Sequence, residues 1–306
     1  MDDVALDALF REAVSAIDAG DVDTLKRLLA ARPELVRERL AFPGAWLRDS
    51  VGGALDGFFQ RPYLLWFVAE DPVRNSKLPG NIATVARTII EAAQRERVDT
   101  LQEQLDYALR LVCWSWIARD CGVQIELIDV LIDAGTSPDG RSVYQSRFGP
   151  HADAAIYNGN FAAAEHLLKR GAPLSLTTAL SLGRWADVER LVRSATLEEK
   201  QDAFVQAALN GKAEALRRML ALGMDPTTVS AQTQSHASAL HHAVWSGSLD
   251  AVKVLVEAGA DLNRRDTIYD GTPLGWARHG EQGKDDKSHA KQYREIAAYL
   301  CEKGAQ

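Results

Sequence analysis

The chain has 306 residues, 46% of them hydrophobic and 25% charged, which is the balance of a chain able to bury a core rather than of a disordered one. Thirty-five basic against 42 acidic residues leave a net charge of −7, without the basic excess that a nucleic-acid backbone requires, so no nucleic-acid partner is expected. The longest apolar run, Tyr63 to Ala69, falls far short of the roughly 20 residues of a membrane span, and the acidic start Asp2-Asp3 is unlike a targeting peptide; a cytoplasmic location without membrane insertion is expected.

In chain order, a short stretch rich in small residues, Arg11 to Ile17, precedes Gly20, after which Leu25, Leu28 and Leu29 mark one apolar stripe of a second helix. The same arrangement recurs after Gly80, Gly122, Gly159, Gly183, Gly211 and Gly247. Five residues beyond these glycines stand Val85, Leu127, Ala164, Val188, Leu216 and Val252. Eight and nine beyond stand Thr88-Ile89, Val130-Leu131, Leu167-Leu168, Leu191-Val192, Met219-Leu220 and Leu255-Val256. A second glycine often follows, as Gly135, Gly171, Gly223 and Gly259, where a left-handed residue ends a helix. Leu300-Cys301 and Gly304 repeat that ending, which makes eight units of helix, turn, helix and stop. A unit of this kind buries its apolar stripe only against stacked neighbours, so the pattern predicts an all-α solenoid.

Between Gly20 and Gly80 the spacing stretches to 60 residues. The extra segment, about residues 40–80, contains Phe42-Pro43-Gly44-Ala45-Trp46, Gly57-Phe58-Phe59 and Arg61-Pro62-Tyr63-Leu64-Leu65-Trp66-Phe67. Aromatics interleaved with Gly and Pro predict an ordered loop or short hairpin packed on the stack, acting either as a cap or as the wall of a pocket. A second insertion, Glu281 to Ser288, is charged and is expected to be a solvated loop.

Asp270-Gly271-Thr272-Pro273-Leu274-Gly275-Trp276-Ala277, together with Ala239-Leu240-His241-His242-Ala243-Val244 and Gly259-Ala260-Asp261-Leu262-Asn263, resembles the ankyrin repeat, whose period is roughly 33 residues. The chain looks like a divergent, bacterial-type member of the ankyrin-repeat family with insertions. The resemblance divides it into 1–106, with divergent units and the aromatic insertion, and 107–306, closest to the family over 236–306. Spacings of 24 and 28 residues between Gly159, Gly183 and Gly211 leave the hairpin fingers of those units short or missing. The resemblance implies a protein-interaction scaffold binding another protein on a concave face, and a structural role for His241, its ring bonding backbone that joins adjacent repeats.

No catalytic, metal or cofactor signature interrupts that reading. His241 and His242 are adjacent on a helix and diverge by about 100°. Cys113, Cys121 and Cys301 form neither a disulfide framework nor a zinc pattern. Glu198-Glu199 suits a helix start, and neither a Gly-x-Ser-x-Gly elbow nor a phosphate loop occurs. The expectation is therefore no cofactor, no metal and no catalytic residues. The family pattern turns outward the two residues before each opening glycine, which nominates Tyr157, Asn158, Asn210 and Trp245. His236, Arg265 and Tyr269 extend that surface, with Arg141, Tyr144, Arg147, Phe148 and Arg264 as further finger residues. The alternative is a small-molecule binder or enzyme with a pocket walled by Trp46, Phe58, Tyr63, Trp66 and Trp114.

Overall fold

The computed structural model describes residues 2–140, 149–231, 235–282 and 287–306, and among these every regular element is a helix. None of those helices is long and apolar enough to cross a membrane. The chain divides into two compact units, Met1–Pro173 and Leu174–Gln306; residue 106, where the sequence changes character, falls inside a helix of the first.

The first unit contains α1 (Asp3–Ala19), α2 (Val22–Ala31), α3 (Glu34–Arg37), α4 (Ala45–Val51), α5 (Ile82–Arg95), α6 (Leu101–Trp114), α7 (Trp116–Asp120), α8 (Gln124–Asp133), α9 (His151–Tyr157) and α10 (Phe161–Lys169). The first helices α1, α6 and α9 stack together with the 3-10 segment Leu64–Ala69, while α2, α5, α8 and α10 stack behind them. The second unit contains α11 (Leu176–Ser181), α12 (Trp185–Leu191), α13 (Leu197–Leu209), α14 (Ala213–Ala221), α15 (Ala239–Trp245), α16 (Leu249–Glu257), α17 (Pro273–Glu281) and α18 (Lys287–Glu302). There α11, α13, α15 and α17 form one row of first helices, backed by α14, α16 and α18.

Local chemistry sets the ends of these helices. Thr196 and Glu199 close a capping box at the start of α13, as the paired glutamates suggest. Thr272 caps α17 through Gly275 N–H, with Pro273 in the first helical position, where its missing N–H costs nothing. At the turn between α13 and α14, Gly211 has φ +63, and a Cβ there would fall 2.7 Å from Ser248 Cβ. Gly259 ends α16 at φ +95, the left-handed stop that its spacing predicts. Between these punctuation marks the apolar stripe is buried: Leu216, Met219, Val252 and Leu255 have no exposed area.

The aromatic insertion is ordered but helical, not a hairpin. It forms α4, a 3-10 turn at Gly52–Asp56 and the 3-10 segment Leu64–Ala69, and that segment takes the place of a first helix in the second repeat. All six of its residues are buried. An uninterrupted apolar run suits a segment packed on all sides better than a hairpin with one wet face. The following turn is organised by Glu70, whose buried carboxylate accepts the backbone N–H groups of Arg74, Asn75 and Ser76. Arg74 in turn pairs with Glu70 at 2.9 Å and with Asp18 at 2.8 Å. Trp114 and Trp116 lie on two successive helices. Ser115 ends α6 and caps α7, leaving Trp114 half-buried and Trp116 exposed.

Candidate interaction surface

In the second unit the first-helix row and its loops gather an aromatic cluster around the half-buried Trp276 of α17. The rings of His236, His241, His242 and Trp245 lie 5.1–6.2 Å from the Trp276 ring, and Tyr269 lies 6.1 Å from His236. His241 and His242 are buried beneath. Trp245, Tyr269 and Ile268 are outside, exposed by 57, 73 and 63%. Arg265 flanks them, its guanidinium bonded to the carbonyl and carboxylate of Asp270.

Asp266 holds this display in place. One of its carboxylate oxygens accepts Ile268 N–H at 2.9 Å and Tyr269 N–H at 2.6 Å. The other accepts Gly271 N–H and the Trp276 indole N–H, each at 2.9 Å. Burial alone would raise this carboxyl, but the four donors outweigh it and hold its pKa down to about 2. The loop therefore cannot relax without stranding a charge.

His241 has the role the resemblance implies. Its Nε2 donates to Gly271 O at 3.1 Å, and its Nδ1 faces Ser238 Oγ at 2.8 Å, tying α15 to the turn before α17. Burial pushes its imidazole below the ordinary value, an effect that the Gly271 bond only partly opposes. Neighbouring loops are joined by Thr267 N–H to His236 O at 2.9 Å and by Arg264 to Thr227 O at 3.1 Å.

The other nominated residues lie elsewhere. Asn210 is the half-buried C-cap of α13. In the first unit Tyr157 stacks on Trp114 with centroids 5.2 Å apart, and the Asn158 amide donates to Trp114 O at 2.9 Å. Arg141, Tyr144, Arg147 and Phe148 fall outside the described residues. Sequence reasoning missed Asp266, Ile268 and Trp276 as parts of the cluster. The available signal was an Asp five residues before a Gly ahead of the Thr-Pro start, turn chemistry with a side chain positioned to accept from the backbone.

The aromatics nominated as pocket walls are mostly occupied in packing. Trp66 and Tyr63 are buried and meet edge to face at 5.3 Å, and the Trp66 indole donates to Gln104 O. Trp46 stacks on Phe67 and donates to Asp7 at 2.8 Å. Phe58 is half-exposed, its carbonyl accepting the Tyr107 hydroxyl. A cleft of about 480 Å³ does open nearby, but its walls are Asp3, Leu6, Glu34, Arg37, Glu38, Arg39, Ala41, Arg61 and Tyr63. Of the five aromatics only Tyr63 lines it. Among the described residues no group of three or more His, Cys, Asp or Glu side chains could hold a metal ion.

Stacked helix pairs, capped turns and a first-helix face with an exposed aromatic cluster define a helical-repeat protein of the interaction-domain class. Residues 152–266 match the family model described as ankyrin repeats (3 copies). The crystal structure of the human ASB11 ankyrin repeat domain aligns with it at 15% identity and a TM-score of 0.36, covering 73% of this chain and 96% of that one.

Proposed function

We propose that the protein is a non-catalytic scaffold that binds another protein on the concave first-helix face of its repeats. Trp245, Tyr269, His236 and Arg265 are the principal contacts in the second unit. The supporting observation is that large apolar side chains are left in water on this face, Trp245 at the end of α15 and Ile268 and Tyr269 on a loop made rigid by Asp266. Clustered exposed apolar groups mark interaction sites, and tryptophan, tyrosine and arginine dominate binding hot spots. Rigidity lowers the entropy lost when a partner docks. Asn210 at the end of α13, and Tyr157 with Asn158 at the end of α9, hold the corresponding place in their own repeats and supply further polar contacts.

The test is affinity capture from the host lysate with the wild-type chain, Trp245→Ala and Tyr269→Ala, quantified by mass spectrometry and followed by affinity measurement on the recovered partner. A hot-spot truncation is expected to weaken binding about 30-fold or more, on the order of 2 kcal/mol. Circular dichroism and the unfolding midpoint should stay unchanged. Partner binding undiminished in both variants would overturn the assignment of this face.

A further inference from the structure

The cleft of about 480 Å³ beside the insertion is built from first-unit residues only and is independent of the protein-binding face. Its volume is that of a small-ligand site. Three stretches wall it: Asp3 and Leu6 one turn apart on α1, residues between Glu34 and Ala41 on and after α3, and Arg61 with Tyr63 just before the 3-10 segment Leu64–Ala69.

Acidic and basic side chains are equally numerous on these walls, but they are not equally free. Arg37 pairs with Glu96 at 2.7 Å, and Arg39 pairs with Glu103 at 3.4 Å while donating to the carbonyls of Gln60 and Arg61. Glu96 and Glu103 are not walls, so both guanidinium groups are neutralised from outside the cleft. The side chains of Asp3, Glu34, Glu38 and Arg61 form no ion pair or hydrogen bond among the described residues. Three unpaired carboxylates against one unpaired guanidinium leave an excess of two negative charges. Asp3, Glu38 and Arg61 are exposed and screened by water, whereas Glu34 is half-buried, its Oε2 sealed from solvent without a partner, and is screened least.

Tyr63 points to a ligand independently of the charges. It lines the cleft and is 4% exposed, yet its hydroxyl has no hydrogen-bond partner among the described residues. A buried phenol ordinarily finds one. Unlike Glu34 Oε2, this hydroxyl is not sealed from solvent, and the cleft is where a partner reaches it. Arg39 lies over the Tyr63 ring at 4.8 Å and holds it in place. The remaining walls, Leu6 and Ala41, are apolar. A ligand with two positive charges on a slim hydrocarbon frame answers each of these features. We propose that this cleft binds a small aliphatic diamine or polyamine. Glu34 and Glu38 neutralise one ammonium group and Asp3, on α1, the other. The Tyr63 hydroxyl oxygen accepts an ammonium N–H, and the methylene chain packs on Leu6 and Ala41.

The test is isothermal titration calorimetry on the full chain at low ionic strength with putrescine and spermidine, and with butylamine and glutarate as the single-charge and opposite-charge probes. Putrescine or spermidine is expected to bind saturably with millimolar or better affinity, and butylamine and glutarate at least about tenfold more weakly. Glu34→Gln should weaken diamine binding about tenfold, and if that variant does not fold, Asp3→Asn takes its place. Tyr63→Phe, which keeps the ring, should weaken it about threefold or more. Arg61→Gln should tighten it by removing a repulsive charge. Glu189→Gln, in the second unit, should leave it unchanged, which separates a site from general attraction to a chain of net charge −7. The proposal is overturned if neither amine binds at about 10 mM or if butylamine or glutarate binds as tightly. It is equally overturned if Glu34→Gln or Tyr63→Phe binds as wild type does, if Arg61→Gln weakens binding, or if Glu189→Gln weakens it as much as Glu34→Gln.

Discussion

The segment Phe59–Phe67 of the first unit and the α15–α17 face of the second spend their aromatic residues in opposite ways. In the first, Phe59, Tyr63, Trp66 and Phe67 of the insertion are turned inward and fill a repeat whose first helix is only the 3-10 segment Leu64–Ala69. In the second, α15 and α17 form a regular first-helix row packed by alanine, leucine and valine, and the aromatics Trp245 and Tyr269 remain outside. Aromatic content alone therefore says nothing about function. What matters is whether the backbone already supplies a complete helix pair. Where it does not, large rings supply the missing volume; where it does, they are free to face a partner.

Two truncations test that contrast most severely. Trp66→Ala empties a fully buried site and should cost about 3–5 kcal/mol in urea unfolding, whereas Trp245→Ala should stay within about 0.5 kcal/mol of wild type. Similar costs for the two would abolish the distinction. Glu70→Ala should also be severe, about 3–5 kcal/mol, because it frees three backbone donors of the insertion and removes one of the two carboxylates that pair with the buried Arg74. A loss below about 1 kcal/mol would mean that the insertion is held by its rings alone. In the second unit Leu255→Ala should cost about 2–5 kcal/mol, since Leu255 has no exposed area.

Titration provides a smaller and finer comparison. His151 and His241 are held neutral below their ordinary value of 6.5, so the stability they confer is complete above that pH and declines as pH falls below it. Asp266 confers stability above its ordinary 3.8 that is lost as pH falls toward about 2. Asp71 behaves in the opposite sense: burial, and then the charge of Glu70, raise its carboxyl to about 7. Its contribution is present below pH 3.8 and is lost as pH rises through about 7. Asp71→Asn should therefore gain on wild type steadily between pH 4 and pH 7, read from urea midpoints, and no further above. A difference independent of pH would show that Asp71 is ionised in the folded chain.

The repeat architecture was legible because it is written in local terms. A glycine that turns, a stripe at the fifth and eighth positions and a glycine that stops recur with small variation. Each is a nearest-neighbour requirement of backbone geometry or helical periodicity, as Gly211, Leu216, Met219 and Gly223 illustrate in one repeat. The structural duty of His241 was legible for the same reason, since its partner Gly271 belongs to the next repeat in a fixed pattern. The helical form of the insertion was not, because Leu64–Ala69 has no period of its own and acquires its shape from packing against α1, α5 and α6.

The sequence by itself determined that the chain is a stack of helix pairs, where the pairs begin and end, and which stripe of each is buried, since those properties follow from spacings of a few residues. Only the tertiary structure decided that Trp66 is core and Trp245 surface, that Asp266 fixes Ile268 and Tyr269 for display, and that Asp106 of α6 shares a cleft with Asp139 and His151. Burial and the pairing of polar groups depend on residues far apart in the chain, and their distances are set by how whole helices pack.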